Sequence, residues 1–529
     1  MMSLCLLTTV CSGADYYFNS KTGNDTSGSG AITAPWQTIS KMNSQKYLAG
    51  DRIFLSGDAF SGPINVPTHQ WGGAASKPIT ITSYGGAPAK ITTSITNGVC
   101  INLENLNGVV IANLKCVGPG STWSTGSGVA FLANTTRNHN LIIKDLEITG
   151  FKIPINVICW PSATGLTGLT IQDNNLHSNV MGIMIWGEDL DALREVSIVR
   201  NYVHDNTGRA TGGATDPASL GTGIVAQSVI GARITHNKVK NNGALADQSA
   251  GSVGIMLYNG SDIIAEYNEV SGQTNASGND ADGFNLAGGC IRCIIQYNYS
   301  HDNKGAGYLI DGQANGTRAA QNAIVRFNIS ENDARGTATR AGIYVYNNGT
   351  VASQLQDWYI HNNTVFMSPG SNRTYPAACI VVGDSLQPSG GPLSGGKIFN
   401  NICYVSSGAV VMVDCKSNAS NTVFANNLFY SASGAAPVLW NKCTNSGNII
   451  GSNPLLSAAG SMGEVSTIAP MSVATRSNYQ ISSASSPAYN AGRDPQAIYD
   501  LPWPAHDFYG NPVRNAGRAI DIGAHELQQ

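Results

Sequence analysis

The chain has 529 residues, 60 of them glycine, and only 12% of its residues are charged. Its formal net charge of −3 provides no basic surface to neutralise phosphates, which argues against nucleic acid as a partner. The hydrophobic share of 42% is sufficient for a folded core and excludes general disorder. No stretch reaches the roughly 18 to 20 apolar residues that a membrane-spanning helix requires.

The N-terminus is apolar, then rich in small residues, and becomes polar at Asp15. This pattern predicts a secretory leader over residues 1–14 that is cut near Ala14, and hence a secreted, extracellular protein. The alternative is a buried first strand. Residues 15–78 are expected to form an N-terminal cap with the first strands, including one short helix within residues 38–48.

A short motif, apolar-x-x-Asn-x-apolar, recurs between residues 79 and 446 at intervals of about 30 residues. Short strands with this period and no helices predict an all-β fold, a parallel β-helix of stacked coils. The repeated Asn is expected to stack on its equivalents as an internal ladder, which Asn113 and Asp145 extend upstream. The loop-rich residues 447–529 are predicted to cap the C-terminal end. The repeated residues are Asn174, Asn201, Asn237, Asn268, Asn298, Asn328, Asn363, Asn401 and Asn427.

Each coil contains a second strand that begins at a glycine. If that glycine is position zero, positions one and three are apolar in six successive coils and are predicted to face the core. Positions two and four then face outward and form one surface, because coils stack about 4.8 Å apart. We interpret this surface as substrate-binding; the alternative is that its aromatic side chains pack beneath loops. The residues concerned are Trp186, Tyr258, Asn285, Tyr344 and Tyr346.

Three carboxylates accompany this surface: Asp280 and Asp282 in one coil, and Asp311 in the next. Glycoside hydrolysis uses a proton donor and a base or nucleophile, usually two carboxylates about 5 to 9.5 Å apart. We therefore predict Asp282 and Asp311 as the acid/base pair, with Asp280 assisting. The alternative is that Asp280 and Asp282 cap a turn. His301 is a further candidate for substrate binding, although a second His-Asp pair in an earlier coil favours a structural turn.

Two of the eleven cysteines lie in the leader, and an odd number follows it. Cys290 and Cys293 have CxxC spacing, but no second CxxC or histidine pair accompanies them, so no metal site is expected here. A short disulfide and a buried pair of thiols are the two interpretations. In the tail, Asp521, His525 and Glu526 are more consistent with a turn than with a metal site.

Across roughly residues 30–527 the chain resembles the pectin-lyase-like superfamily of right-handed parallel β-helix proteins. The likeness rests on the coil period, the Asn ladder and the two caps, which specify fold better than chemistry. Residues 279–285 are similar to the Asn-Thr-Asp-Gly-Phe/Ile-Asp element of polygalacturonases, which implies that Asp282 is catalytic. That family's Asp pair and Gly-His-Gly element are absent from the next coils. The segment also resembles an element of a calcium-dependent pectate lyase family, of whose calcium cluster only Asp311 remains.

The resemblance implies a secreted enzyme that acts on a plant, algal or microbial polysaccharide. We favour a glycoside hydrolase without a cofactor, because the basic residues Lys304, Arg335 and Arg340 do not lie on the strand face. The alternatives are a lyase that cleaves a uronate-containing glycan by β-elimination, with Ca²⁺ as cofactor, and a non-catalytic glycan-binding protein. The polysaccharide is the expected partner, and a monomer is the expected state.

Overall fold

The structure is a computed structural model that describes most of the chain. Most of the predicted leader, residues 1–12, falls outside the described part and stays a prediction, as does the role of Arg340. The described residues are 13–66, 71–120, 125–211, 216–247, 251–277, 280–312, 318–336, 341–347, 355–369, 378–383, 393–407, 413–415, 419, 421–434, 443–464, 477–513 and 519–528.

Within these ranges, parallel strands form three long sheets, and successive coils contribute their strands to each sheet in chain order. The first sheet has fifteen strands: Asp15–Asn19, Arg52–Ser56, Ile79–Ser83, Val109–Ala112, Arg137–Lys144, Gly165–Gln172, Leu193–Val199, Val229–Thr235, Ser261–Glu266, Ile294–Gln296, Ile324–Arg326, Tyr359–His361, Lys397–Phe399, Val423–Ala425 and Thr444–Ser446. The second sheet has fourteen described strands: Phe60–Ser61, Ala89–Thr92, Leu114–Val117, Glu147–Thr149, Asn175–His177, Tyr202–His204, Lys238–Lys240, Glu269–Ser271, Tyr299–His301, Ile329–Glu331, Thr364–Met367, Ile402–Val405, Leu428–Ser431 and Ile449–Ile450. The third sheet has twelve: Ile64–Val66, Ile101–Glu104, Ser127–Ala133, Ile153–Cys159, Ile183–Gly187, Ile224–Gln227, Val253–Tyr258, Asp282–Leu286, Tyr308–Gly312, Ala341–Asn347, Ala378–Val382 and Val413–Cys415.

The remaining described elements are short. Helix Ile39–Asn43 is capped by the Thr38 side chain and is shorter than predicted, because the chain re-enters a strand at Tyr47–Leu48. The other elements are helix Pro495–Tyr499, the 3-10 turn Pro217–Ser219, the strand Trp71–Gly72 paired with Tyr47–Leu48, and the three-stranded sheet Ala320–Gln321, Leu355–Gln356 and Leu393–Ser394.

One coil shows how the three sheets connect. Its strands are Ile294–Gln296 in the first sheet, Tyr299–His301 in the second and Tyr308–Gly312 in the third. Only two residues separate the first two strands, and Tyr297 makes this corner with a left-handed backbone at φ 57°. Repetition of this path builds the right-handed parallel β-helix that the sequence predicted.

The predicted Asn ladder is confirmed. Asn174 donates to Asn201 at 2.8 Å, and each further member donates to the next, ending with a bond of 3.0 Å from Asn427 to Asn448. The upstream extension was wrong by one residue, because Asp145 takes the left-handed corner position and Leu146 occupies the ladder position. Asn113 takes the same corner position one coil earlier.

A second internal ladder, which the sequence analysis missed, follows the strands of the second sheet. Asn179 donates to Asn206 at 3.1 Å, and Asn303 donates to the Asp333 carboxylate at 2.8 Å. Burial raises the pKa of Asp333 to about 6. The turns that lead into the third sheet are therefore fixed from inside the molecule. The members of this ladder are Asn179, Asn206, Asn242, Gln273, Asn303 and Asp333.

The C-terminal segment packs on the outside of the second sheet and, at Tyr499 and Leu501, on that of the first, whereas the sequence predicted a cap at the C-terminal end of the β-helix. Tyr479, Phe508 and Tyr509 pack with Tyr299 and Phe327 of successive coils. Aromatic residues that face outward on the second sheet require such a cover, since they would otherwise expose a continuous apolar surface.

The cysteines divide into bonded and free groups. Disulfides join Cys100 to Cys116, Cys379 to Cys403, and Cys415 to Cys443. Cys159, Cys290 and Cys293 are free and buried, so the CxxC pair consists of buried thiols, one of the two interpretations above.

Candidate active site

Asp282 begins the third-sheet strand Asp282–Leu286 and is fully buried. Its Oδ1 accepts a hydrogen bond of 2.5 Å from the backbone N–H of Ala306 in the next coil. Its own N–H donates to the Ser252 carbonyl of the previous coil at 3.2 Å. The carboxylate is therefore held between two neighbouring coils.

Glycine at position 305 leaves the room that this carboxylate occupies. A Cβ on Gly305 would lie 2.3 Å from Asp282 Oδ1, closer than any real contact. Ala281, next to Asp282, has φ 96°, whereas most other non-glycine residues with positive φ lie near 50–60°. Such unfavourable backbone persists where the surrounding structure imposes it, which is common at functional sites.

Asp280 lies two residues before Asp282 and is partly exposed. Its carbonyl accepts a bond of 2.9 Å from Asn275 Nδ2, and Asn275 Oδ1 accepts one of 2.5 Å from Lys304 Nζ. Only Ala281 separates Asp280 from Asp282, and its backbone, at φ 96°, is not extended.

The predicted pairing of Asp282 with Asp311 is wrong. Phe284 pairs with Tyr308, so Asp282 lies opposite Ala306, five residues before Asp311. Five residues of strand span about 16 Å, which is too long for an acid/base pair. The sequence placed the two carboxylates on successive coils correctly, but they occupy opposite ends of their strands.

Asp311 instead belongs to a second polar centre at the carboxyl end of the strands. It lies directly opposite Tyr346 of the following coil. Burial, followed by the charge of Asp311, raises the pKa of Tyr258, so Tyr258 also lies near this carboxylate. The structure thus brings together three predicted site residues, away from Asp282.

The aromatic surface is only partly open. Trp186 and Tyr258 are partly exposed, as predicted for a binding surface. Tyr344 is only 1% exposed and packs with Leu309 in an outer apolar cluster. Tyr346 stacks on Tyr344 with ring centroids 5.3 Å apart and remains partly exposed. For Tyr344 the packing alternative is therefore the correct one.

Asn285 lies between these two polar centres. It faces outward in a row with Met256 and Leu309 and is 4% exposed. Within the described part of the chain, its Oδ1 has no hydrogen-bond partner. A buried polar atom without a partner is costly, and a ligand hydroxyl would satisfy it.

His301 is not part of this site. It lies on the second sheet, where it is buried, stacks on Tyr299 and contacts Glu269 at 3.2 Å and Asp302 at 3.0 Å. Burial opposes its protonation, but the hydrogen bonds to Asp302 and Glu269 outweigh burial and raise the pKa of His301 to about 9. The sequence named His301 as a candidate for substrate binding; the structure places it on the second sheet, and the turn at 302–307 separates it from the third-sheet surface.

Known proteins are similar to this chain in part of the sequence and in the fold. No protein family model matches the chain. A lacto-N-biosidase of Bifidobacterium longum subsp. longum is 24% identical over 204 residues, which are 38% of this chain and 12% of that protein. The crystal structure of a GH136 lacto-N-biosidase from Eubacterium ramulus aligns with a TM-score of 0.50 and 17% identity, over 69% of this chain and 68% of that one. Its selenomethionine derivative aligns with a TM-score of 0.51.

The chain has the pectin-lyase-like right-handed parallel β-helix fold. A pectate lyase structure also aligns, over 98% of both chains, with a TM-score of 0.35 and 16% identity. In this fold, the outer face of the third sheet carries Asn285 and Asp311, whereas the buried Asp282 begins the strand in the same alternation as the core residues Phe284 and Leu286.

A cavity of about 400 Å³ lies at the turns that lead into the third sheet. Lys304 and Arg335 line it, and Arg335 is paired with Asp302 at 2.6 Å. Among the described residues, Lys304 has no carboxylate within ion-pair distance and bonds to Asn275 instead. Both cations are visible in the sequence, but the turns that carry them differ in length, so the sequence does not show that Lys304 and Arg335 lie side by side in adjacent coils.

Proposed function

We propose that the protein is a carbohydrate-active enzyme that hydrolyses glycosidic bonds, with Asp280 and Asp282 as its catalytic carboxylates. The observation that carries this proposal is the pair of carboxylates on either side of Ala281, whose backbone is held at φ 96°. The similarity to lacto-N-biosidases supports hydrolysis of a glycan. The predicted leader supports secretion; in the described part of the chain, no helix has the length and apolar character needed to cross a membrane.

The two carboxylates differ in their surroundings, which suggests different roles. Asp280 is partly exposed and can contact water, so it suits the base that activates the attacking water. Asp282 is fully buried, and burial disfavours the charged form of a carboxyl group, so Asp282 suits the donor that protonates the glycosidic oxygen. Asn285 would bind a sugar hydroxyl beside this pair, since its Oδ1 lacks a partner among the described residues.

Incubation of the protein with a glycan panel tests the proposal. The panel contains neutral oligosaccharides, including chains that end in lacto-N-biose, together with alginate and polygalacturonate. New reducing ends without unsaturated uronate absorbance support hydrolysis. Glycan binding without any product would contradict catalysis and indicate a binding protein.

A second candidate, β-elimination, is favoured by the cavity beside the pair. Its cations Lys304 and Arg335 are suited to a uronate carboxylate, and Lys304 connects to Asp280 through Asn275. Unsaturated products from alginate or polygalacturonate, lost in Lys304→Ala, would support a lyase and contradict the hydrolase.

A further inference from the structure

Trp160 is the most conspicuous exposed aromatic residue that the proposed site does not include. It is 52% exposed, directly after the third-sheet strand Ile153–Cys159. An exposed Trp presents a large apolar ring together with a polar N–H, which suits it to stacking on a ligand.

The backbone holds Trp160 on the outer face of the third sheet. Its N–H donates to the Ala133 carbonyl at 2.9 Å, and the Glu188 N–H donates to the Cys159 carbonyl at 3.1 Å, so the ladder continues past the strand end. Side chains alternate along a strand, and the partly exposed Ile158 is the preceding outward residue. Trp160 therefore points outward.

Trp186 is its neighbour across the strands. Ile158 pairs with Trp186, which places Trp160 one strand and two residues away from Trp186. These offsets correspond to about 8 Å between backbones, a distance that large aromatic side chains span. The two indoles therefore lie on the same outer face of the third sheet and are called the aromatic platform below.

Amide groups flank this platform on the side of the earlier coils. Asn134 Nδ2 donates to Glu104 at 2.7 Å, and the Asn134 N–H donates to Asn105 at 2.8 Å. Aromatic faces beside amides and carboxylates match the chemistry of sugars, which present C–H faces and hydroxyl edges.

The platform leads along the carboxyl ends of the strands to the second polar centre at Asp311, rather than directly to Asp282. The outward row runs from Trp186 through Gln227 to Tyr258, all partly exposed, and reaches Asp311 two coils later. The strand of Trp160 lies four coils before that of Asp282, about 19 Å along the axis, and the strand register places Trp160 seven residues, about 23 Å, further toward the carboxyl ends of the strands than Asp282. A chain of several sugars is needed to span the resulting diagonal of about 30 Å.

From these positions we infer that Trp160 and Trp186 form a distal subsite for a neutral glycan chain whose reactive bond lies at Asp282. This inference rests on the proposed function. The subsite stacks on sugars remote from the bond that is cleaved, so it contributes only when the chain is long enough to reach it.

Calorimetric titration with oligosaccharides of two, four, six and eight sugars tests the subsite. The probes are chains ending in lacto-N-biose and xylo-oligosaccharides of equal length, and the proteins carry Asp282→Asn to prevent turnover. Trp160→Ala is expected to raise the Kd of the longest bound probe about tenfold and leave that of the shortest unchanged. Trp160→Phe should retain most of the affinity. Ile450→Ala, at a similarly exposed apolar residue (49%) on the second sheet, is the matched control and should change nothing.

The outcomes separate the two proposals. Equal Kd values for Trp160→Ala and its parent at every length, or an equal loss at every length, would overturn the subsite while leaving hydrolysis intact. If the wild-type protein neither binds nor cleaves any glycan of the series or of the panel, the proposed function falls and the subsite falls with it.

Discussion

The backbone N–H of Ala306 donates a hydrogen bond of 2.5 Å to Asp282 Oδ1. Because Ala306 lies in the next coil, the position of this carboxylate depends on how two coils stack. The site is thus part of the repeat architecture, and substitutions at this contact separate chemistry from folding.

Asp282→Asn is expected to lower kcat by about 10²- to 10⁴-fold, the usual contribution of an acid/base group. The amide oxygen of Asn still accepts the Ala306 N–H, so the unfolding midpoint should change little. Asp280→Asn should have a similar effect on kcat. The control is Asp262→Asn, at an exposed Asp paired with Arg292 on the first sheet. Full activity in both Asp280 and Asp282 variants would contradict the proposed pair.

Gly305→Ala is expected to reduce kcat at least tenfold without removing any functional group. The added Cβ would lie 2.3 Å from Asp282 Oδ1 and 2.8 Å from the Ala281 carbonyl carbon, so both the carboxylate and the Ala281 backbone beside it must move. Gly305 does not need a left-handed backbone, so space alone is at issue. Gly72→Ala is the matched control, since its Cβ would meet only the Tyr47 carbonyl at 3.8 Å. Steady-state kinetics and thermal unfolding of both variants check the prediction; unchanged kcat in Gly305→Ala would show that Asp282 need not be held there.

The sequence predicted those features that follow from a local repeat. The Asn ladder from Asn174 onward and the inward positions such as Phe284 and Leu286 repeat with a fixed chemical identity, so spacing alone identifies them. The ladder position was misplaced in the two upstream coils, where Leu114 and Leu146 replace Asn, because the corner residues Asn113 and Asp145 resemble ladder residues there.

The predicted contacts that the structure does not show have one physical cause in common. The distance between two residues in different coils depends on the lengths of the turns between them. Asp282 and Asp311 were placed in adjacent coils correctly, but strand register sets them about 16 Å apart. Likewise, His301 follows Asp282 by only 19 residues, yet the intervening turns move it to another sheet. The cover over Tyr299 comes from residues near Tyr479, a contact that no repeat pattern encodes.

His301→Ala is expected to destabilise the fold by roughly 3 kcal/mol or more at pH 7 and to leave kcat/KM unchanged, because His301 forms buried ion pairs remote from the site. The pKa of His301 is raised to about 9, above its ordinary value near 6.5. The stabilisation of the fold by protonated His301 is therefore complete below about pH 6.5 and is lost as the pH rises through 9. Unfolding in denaturant at pH 6, 8 and 10 measures this trend.

His204→Ala is the matched control, because His204 occupies the same position on the second sheet three coils earlier. Burial there outweighs the hydrogen bond to Asp205 and lowers the pKa of His204. The difference in free energy of unfolding between the wild type and His204→Ala should therefore change in the opposite direction. It grows in favour of the wild type as the pH rises through the range in which His204 loses its proton. Identical trends in the two variants would contradict the assignment of His301 as a charged structural residue.

Glu526→Gln is expected to stabilise the protein at alkaline pH and to have little effect near pH 4. Burial, then the charge of Asp521, raises the pKa of Glu526 to about 9. Between about pH 4.5 and 9 the Glu526 carboxyl keeps its proton in the folded state and has lost it in the unfolded state. The free energy of unfolding therefore falls as the pH rises, by up to about 1.4 kcal/mol per pH unit.

In Glu526→Gln, the side chain keeps an oxygen that can accept the Asp521 N–H but cannot ionise. Free energies of unfolding at pH 4, 7 and 9 should therefore fall less steeply in Glu526→Gln than in the wild type, whereas Glu195→Gln, at an exposed position, should follow the wild type. Equal slopes in Glu526→Gln and the wild type would show that Glu526 is already ionised in the folded protein.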